Sequence, residues 1–144
     1  MHILVVGGGM GGTILANNLA RRLSGELEQG STKITMLSAS DKHMYQPGLL
    51  YVAVGKMSTS ELYRDQKSLL EPTIDFHVDP VEKFDLDNNS VTTKSGKKIS
   101  YDILCIATGS RGDAAAIPGL AENACQFYTE ADAVAMYKKL SKFE

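Results

Sequence analysis

The sequence predicts an α/β domain built on a mainly parallel sheet, with a small antiparallel β-meander at one side. Three observations carry this. The short β-branched run His2-Ile3-Leu4-Val5-Val6 passes directly into Gly7-Gly8-Gly9-Met10-Gly11-Gly12 and then into a segment of helical period. Two more apolar runs, residues 33–37 and 102–107, read as buried strands. Between Pro80 and Tyr101 the pattern changes to short strand candidates, with turn signals at Asp87-Asn88-Asn89 and Ser95-Gly96.

Each element follows from its residues. After the glycines, Leu15, Leu19 and Leu23 recur at helical spacing with Ala16 and Ala20 beside them, which predicts an amphipathic helix ending around residues 24–27. Gln29-Gly30-Ser31 is a turn, and residues 33–37 form the second strand. A polar loop over 38–43 leads into Tyr45-Gln46-Pro47-Gly48, and the apolar stretch 49–54 fits more than one conformation. Ser58-Thr59-Ser60-Glu61 has capping-box spacing and predicts a helix that ends before Pro72. Residues 73–78 alternate as a third strand, and Phe84-Asp85-Leu86, Val91-Thr92-Thr93 and Lys97-Lys98-Ile99 supply the meander. Thr129-Glu130-Ala131-Asp132 caps a last helix, with Ala133, Met136, Tyr137 and Leu140 on one side.

The 144 residues suffice for one domain with a real core. With 15 Lys and Arg against 17 Asp and Glu, the formal charge is −2, so a nucleic-acid surface is not expected. No apolar run approaches the roughly 18 residues of a membrane helix. Met1-His2-Ile3-Leu4 lacks a basic segment before its apolar stretch, so a secretory signal is not expected. Cys105 and Cys125 fit a reducing compartment: Cys105 reads as a buried strand thiol, and Cys125 as a thiol without a nearby Lys or His. No metal site is expected, because His2, His43 and His77 lie far apart and neither cysteine pairs with them at ligand spacing.

Gly7, Gly9 and Gly12 fit the G-x-G-x-x-G pattern of a Rossmann-like, dinucleotide-binding turn. Gly7 permits the sharp turn off the strand. Gly9 removes a side chain where backbone must approach a pyrophosphate, and Gly12 lets helix and strand pack closely. The helix N-terminus supplies unpaired N–H groups and partial positive charge for a diphosphate. The second strand ends on Ser38 rather than an acidic residue; Ser38 is either a ribose contact or a loop residue, and Asp41 stands three positions later. His43 either approaches a bound ring or is a solvated loop histidine. Arg111, two residues after Gly109, has a guanidinium suited to phosphate.

The stretch Tyr101-Asp102-Ile103-Leu104-Cys105-Ile106-Ala107-Thr108-Gly109-Ser110-Arg111, placed after a meander, resembles the pyridine nucleotide-disulfide oxidoreductase superfamily. Ser38-Ala39-Ser40-Asp41 followed by His43-Met44-Tyr45-Gln46-Pro47 is similar to the sulfide:quinone oxidoreductases, and less closely to type II NADH dehydrogenases and flavocytochrome c sulfide dehydrogenases. The resemblance covers nearly the whole chain. It implies FAD as cofactor, with Ala107-Thr108-Gly109 near its diphosphate and Pro47 beside the isoalloxazine ring. The implied cofactor contacts are Gly7, Gly9, Met10, Gly11, Gly12, Ser38, Ala39, Gln46, Pro47, Val81, Ala107, Thr108, Gly109 and Arg111.

Members of this family are far longer, so residues 1–144 are expected to be an N-terminal FAD domain of a longer enzyme, inactive in isolation. The catalytic cysteines and the quinone site are expected beyond residue 144; an additional cysteine of some members aligns with Tyr128, not Cys125. The implied partners are the C-terminal half of the enzyme, sulfide and quinone, with a second copy of the chain on an exposed apolar surface near residues 49–54. The implied location is cytoplasmic, with the full-length protein peripheral on the membrane. An NADH donor on the same fold, and a non-catalytic nucleotide-binding module, remain the alternatives.

Overall fold

The structure, a computed structural model, describes residues 1–143. In chain order the strands and α-helices are β1 (His2–Val6), α1 (Met10–Arg22), α2 (Ser24–Glu28), β2 (Lys33–Ser38), β3 (Lys42–Met44), α3 (Leu49–Ala53), β4 (Tyr63–Asp65), β5 (Asp75–Val78), β6 (Val81–Asp85), β7 (Ser90–Thr93), β8 (Lys98–Ser100), β9 (Ile103–Ile106), α4 (Leu120–Asn123) and α5 (Glu130–Leu140). The chain divides into two compact units: Met1–His43 with Asp65–Gly109, and Met44–Arg64 with Ser110–Glu144.

The first unit is the expected parallel α/β layer. Its sheet runs β5-β2-β1-β9, every neighbour parallel. The residues of β1 are buried from Ile3 to Val6 because both faces of the sheet are covered: Ile3 and Val5 pack with Ala16 and Ala20 of α1, and Leu4 and Val6 with Val91 and Tyr101. The predicted meander is present as the antiparallel sheet β6-β7-β8, and Val91 at its centre packs with Leu4, Leu37 and Tyr101.

On α1 the face toward the sheet is Gly12, Thr13, Ala16 and Ala20, with Leu19 and Leu23 at its margin, whereas Leu15 is exposed. Small residues at i and i+4 draw the helix close to the sheet, and a leucine in that row would push it off. The helix ends at Arg22, and α2 follows as a separate short turn.

Two strand and helix expectations are corrected. β9 is not a buried strand: it is the outer strand of the sheet, and Ile103 and Ile106 are 44% and 57% exposed. Only β1 pairs with it among the described residues, so Cys105 is half-buried against the Ile3–Val5 side of the core. The predicted helix after Ser58 also does not extend. Its start is as expected, with the Ser58 N–H donating to the Glu61 carboxylate at 2.8 Å, but only the 3-10 turn Thr59–Leu62 forms before β4. A helix would put Leu62 and Gln66, four apart, on one face. Both are fully buried, Leu62 in the core of the second unit and Gln66 on Thr13 and His43 in the first, and the chain between them runs extended.

The second unit packs Leu49, Val52 and Ala53 of α3 and Leu62 against Ala133 of α5. Thr129 and Asp132 form the predicted capping box of α5, while Tyr137 and Leu140 lie exposed rather than in the core. The ambiguous stretch 49–54 is a short helix whose outer side exposes Leu50, Tyr51 and Val54. Tyr63 donates its hydroxyl to the Glu130 carboxylate, and this bond holds the phenol above its ordinary range. A folded-state value raised above the unfolded one stabilises fully below about pH 10 and is lost as pH rises through the folded value. Thermal unfolding between about pH 9 and about pH 11 should therefore show a steeper fall for the wild type than for Tyr63→Phe.

Candidate functional site

β1 delivers the chain into the glycine loop, and α1 begins immediately behind it. Gly7 has φ +117°, and a side chain there would collide with the Ala107 carbonyl; only glycine satisfies both constraints. Gly12 faces the turn so closely that a Cβ would overlap the Gly7 carbonyl oxygen. These two glycines build the turn and its packing against the Ala107 segment, as the spacing predicts.

Gly9 and Gly11 differ from them. Among the described residues, a Cβ at either would meet no atom within 4 Å beyond its chain neighbours and the local helix backbone. Gly9 is the N-cap at φ −74° and ψ −174°, a conformation open to any residue. Its carbonyl accepts from the Thr13 N–H at 3.0 Å, the first bond of the helix. Among the described residues no side chain caps α1, and its first turn holds no acidic residue. The uncapped N–H groups and the positive end of the helix thus face open space, an arrangement suited to an anionic group. Met10 beside them is half exposed.

The other expected contacts in this unit surround the loop. Ser38 ends β2 and is buried under Gly8, where a Cβ would meet its Oγ at 2.6 Å. The Ser38 Oγ accepts the Ser40 N–H at 3.2 Å, and Ala39 is exposed. Ala107, just past β9, donates its N–H to the Val6 carbonyl at 2.7 Å; Thr108 and Gly109 follow exposed, Gly109 at φ +78°. Val81 opens β6 and packs against the Leu4–Val91 cluster.

Gln46, Pro47 and Arg111 belong to the second unit and are exposed. The Gln46 side chain hydrogen-bonds Tyr128, whose hydroxyl also lies 2.8 Å from the Ser110 Oγ. Those bonds, Ser110 first and Gln46 second, hold the Tyr128 phenol below its ordinary range. Cys125 is exposed, and contrary to expectation it has a lysine beside it: the Lys139 ammonium donates to its Sγ at 3.4 Å, brought there by α5. Sequence separation of 14 residues hid that pairing.

Three residues outside the expected contacts also meet the glycine loop: Thr13, His43 and Gln66. Thr13 carries no signal beyond its place in the first turn of α1. Gln66 had none, because a polar residue inside a stretch read as a helix gives no sign of burial.

A parallel sheet, a glycine turn off its central strand and an uncapped helix behind that turn define a dinucleotide-binding α/β domain. The sequence profile of the family described as pyridine nucleotide-disulphide oxidoreductase matches residues 1–142, and the chain belongs to that family. The sulfide-quinone reductase of Aquifex aeolicus is 37% identical over 142 residues, which cover 98% of this chain and 31% of that protein. The mitochondrial sulfide:quinone oxidoreductase of Mus musculus is 34% identical over 121 residues, covering 84% of this chain and 26% of that protein. The X-ray structure of the sulfide:quinone oxidoreductase from Aquifex aeolicus superposes with a TM-score of 0.78 at 32% identity, covering 98% of this chain and 32% of that one. The chain therefore spans less than a third of the length of these relatives.

Proposed function

We propose that this chain binds FAD through its glycine loop and forms the flavin-binding part of a longer oxidoreductase that passes electrons from sulfide to quinone. The observation that carries the cofactor reading is the contrast within the loop. Gly7 and Gly12 are required by packing, whereas Gly9 and Gly11 leave open space over an uncapped helix end. A structural turn has no need of the second pair; a diphosphate does.

In this reading the loop amides and the first turn of α1 hold the diphosphate. Ser38 and Ala39 lie toward the ribose, Val81 offers an apolar wall to the adenine, and Ala107-Thr108-Gly109 closes the diphosphate side. For Gln46, Pro47 and Arg111, which belong to the second unit, the flavin role rests on the family resemblance alone. The flavin, when bound, supplies the electron-transfer chemistry; the chain orients it and tunes its surroundings. The sulfide and quinone assignment rests on the two relatives with those names. A second reading, with a nicotinamide donor, is supported by the alternative NAD(P)H-ubiquinone oxidoreductase C1 of Arabidopsis thaliana, 28% identical over 99% of this chain and 30% of that protein.

Calorimetric titration with FAD and with NAD tests the cofactor. FAD is expected to bind in preference, and tight NAD binding without FAD binding overturns the proposal. The FAD-loaded chain, given sulfide and a soluble quinone, should then turn over no faster than free FAD, because in this reading sulfur handling and quinone binding belong to parts of the longer oxidoreductase other than these residues. Enzyme-like turnover would instead locate that chemistry within these residues.

A further inference from the structure

Thr13, His43 and Gln66 form a closed hydrogen-bond ring with the Gly8 carbonyl, all within the first unit. Gln66 is 0% exposed, and its Nε2 donates to the Thr13 Oγ1 at 2.9 Å. The Thr13 hydroxyl donates to the Gly8 carbonyl at 3.3 Å. His43 Nδ1 lies 3.1 Å from the same carbonyl and 3.0 Å from Gln66 Oε1. A backbone carbonyl only accepts, so the bond to Gly8 requires the hydrogen on Nδ1, where the Gly8 carbonyl and Gln66 Oε1 share it. The Gly8 oxygen thus receives two donors, one from α1 and one from β3.

We infer that His43, Gln66 and Thr13 are positioning residues for the dinucleotide loop, acting by locking the Gly8–Gly9 peptide in one orientation. This rests on the proposed FAD site. The peptide joins two glycines, and neither has a Cβ to oppose its rotation. Left alone, it would exchange its carbonyl and N–H faces freely. A carbonyl turned toward a diphosphate repels it, whereas an N–H attracts it. Because the peptide is trans and planar, holding the Gly8 carbonyl against His43 and Thr13 points the Gly9 N–H the opposite way. Gly9 is the residue whose surroundings are open. The buried glutamine has the matching role of keeping the donors in place: it occupies the Thr13 hydroxyl as acceptor, which leaves that hydroxyl's hydrogen for Gly8, and its Oε1 holds the Nδ1 edge of the His43 ring toward Gly8.

The test uses the position of one hydrogen. In His43→Asn the side-chain amide nitrogen falls near the place of Nδ1, and in His43→Gln it falls near Nε2. FAD titration of the full chain should give His43→Asn an affinity within about threefold of wild type and His43→Gln a loss of about tenfold, at similar thermal midpoints. Equal affinities for the two variants, or losses that merely track their thermal midpoints, would overturn the inference. If the wild-type chain takes up no FAD, the proposed function fails separately. The positioning role is then decided in the ligand-free protein by the Gly8 carbonyl carbon resonance. It should move in His43→Gln and stay in place in His43→Asn, and equal behaviour of the two variants refutes the role.

Discussion

Gly9→Val is expected to fold and to lose FAD. The conformation at Gly9, φ −74° and ψ −174°, is one a valine adopts without strain, and beyond its chain neighbours no atom of the described residues lies within 4 Å of the new Cβ. The folding cost is confined to a poorer N-cap, about 1 kcal/mol or less, which lowers the thermal midpoint by roughly 2–4 °C in a chain of this size. The branched side chain would meanwhile occupy the space where backbone must approach a diphosphate. Affinity for FAD should fall at least tenfold, or ~1.4 kcal/mol. Circular dichroism with calorimetric titration checks both halves. A folded variant with unchanged affinity would reduce the loop to a turn. A variant that fails to fold would contradict the open surroundings of Gly9.

The sequence made the scaffold around this residue legible because its signals are local. A β-branched run, six residues containing five glycines, and a helix with period near 3.6 are each read without knowing what packs on them. The meander was legible for the same reason, since Asn and Gly turns punctuate it. What escaped depended on partners distant along the chain. Ser58 and Glu61 meet the local rule for a helix start, yet Leu62 is buried in the core of the second unit and Gln66 is buried against Thr13 and His43 in the first, and the helix stops after one turn. The apolar composition of β9 reads as burial, but its place at the sheet edge leaves Ile106 57% exposed.

The candidate site divides in the same way. Gly7, Gly9 and Gly12 were assigned distinct roles from spacing alone, and the two packing roles match the backbone contacts at Gly7 and Gly12. The donors behind Gly8 were not legible: Thr13, His43 and Gln66 are separated by as many as 53 residues, and no pattern in the chain links a buried glutamine to a glycine loop. Lys139 beside Cys125 is the same kind of omission.

Gly12→Ala should be the more damaging substitution although it adds a single methyl group. That methyl would overlap the Gly7 carbonyl oxygen, and its next neighbour is the Ala107 Cβ at 3.4 Å. Neither obstacle is the end of a flexible side chain. The Gly7 carbonyl belongs to a residue at φ +117° whose N–H is tied to the Leu37 carbonyl at 2.8 Å, and Ala107 is tied to Val6. Relief therefore requires α1 to move away from the sheet, and that motion opens the packing of Ala16 and Ala20, which are 0% and 3% exposed. Overpacking that forces backbone shifts costs about 1–3 kcal/mol, and separation of the helix adds to it. Out of a total stability of roughly 5–15 kcal/mol, this is a large share. Thermal and urea unfolding should show Gly12→Ala less stable than Gly9→Val by at least about 2 kcal/mol, an ordering opposite to the sizes of the added side chains. If alanine at position 12 left the midpoint within about 2 °C of wild type, the close approach of α1 to the turn would be wrong, and with it the account of why this row of the helix is Gly12, Ala16 and Ala20.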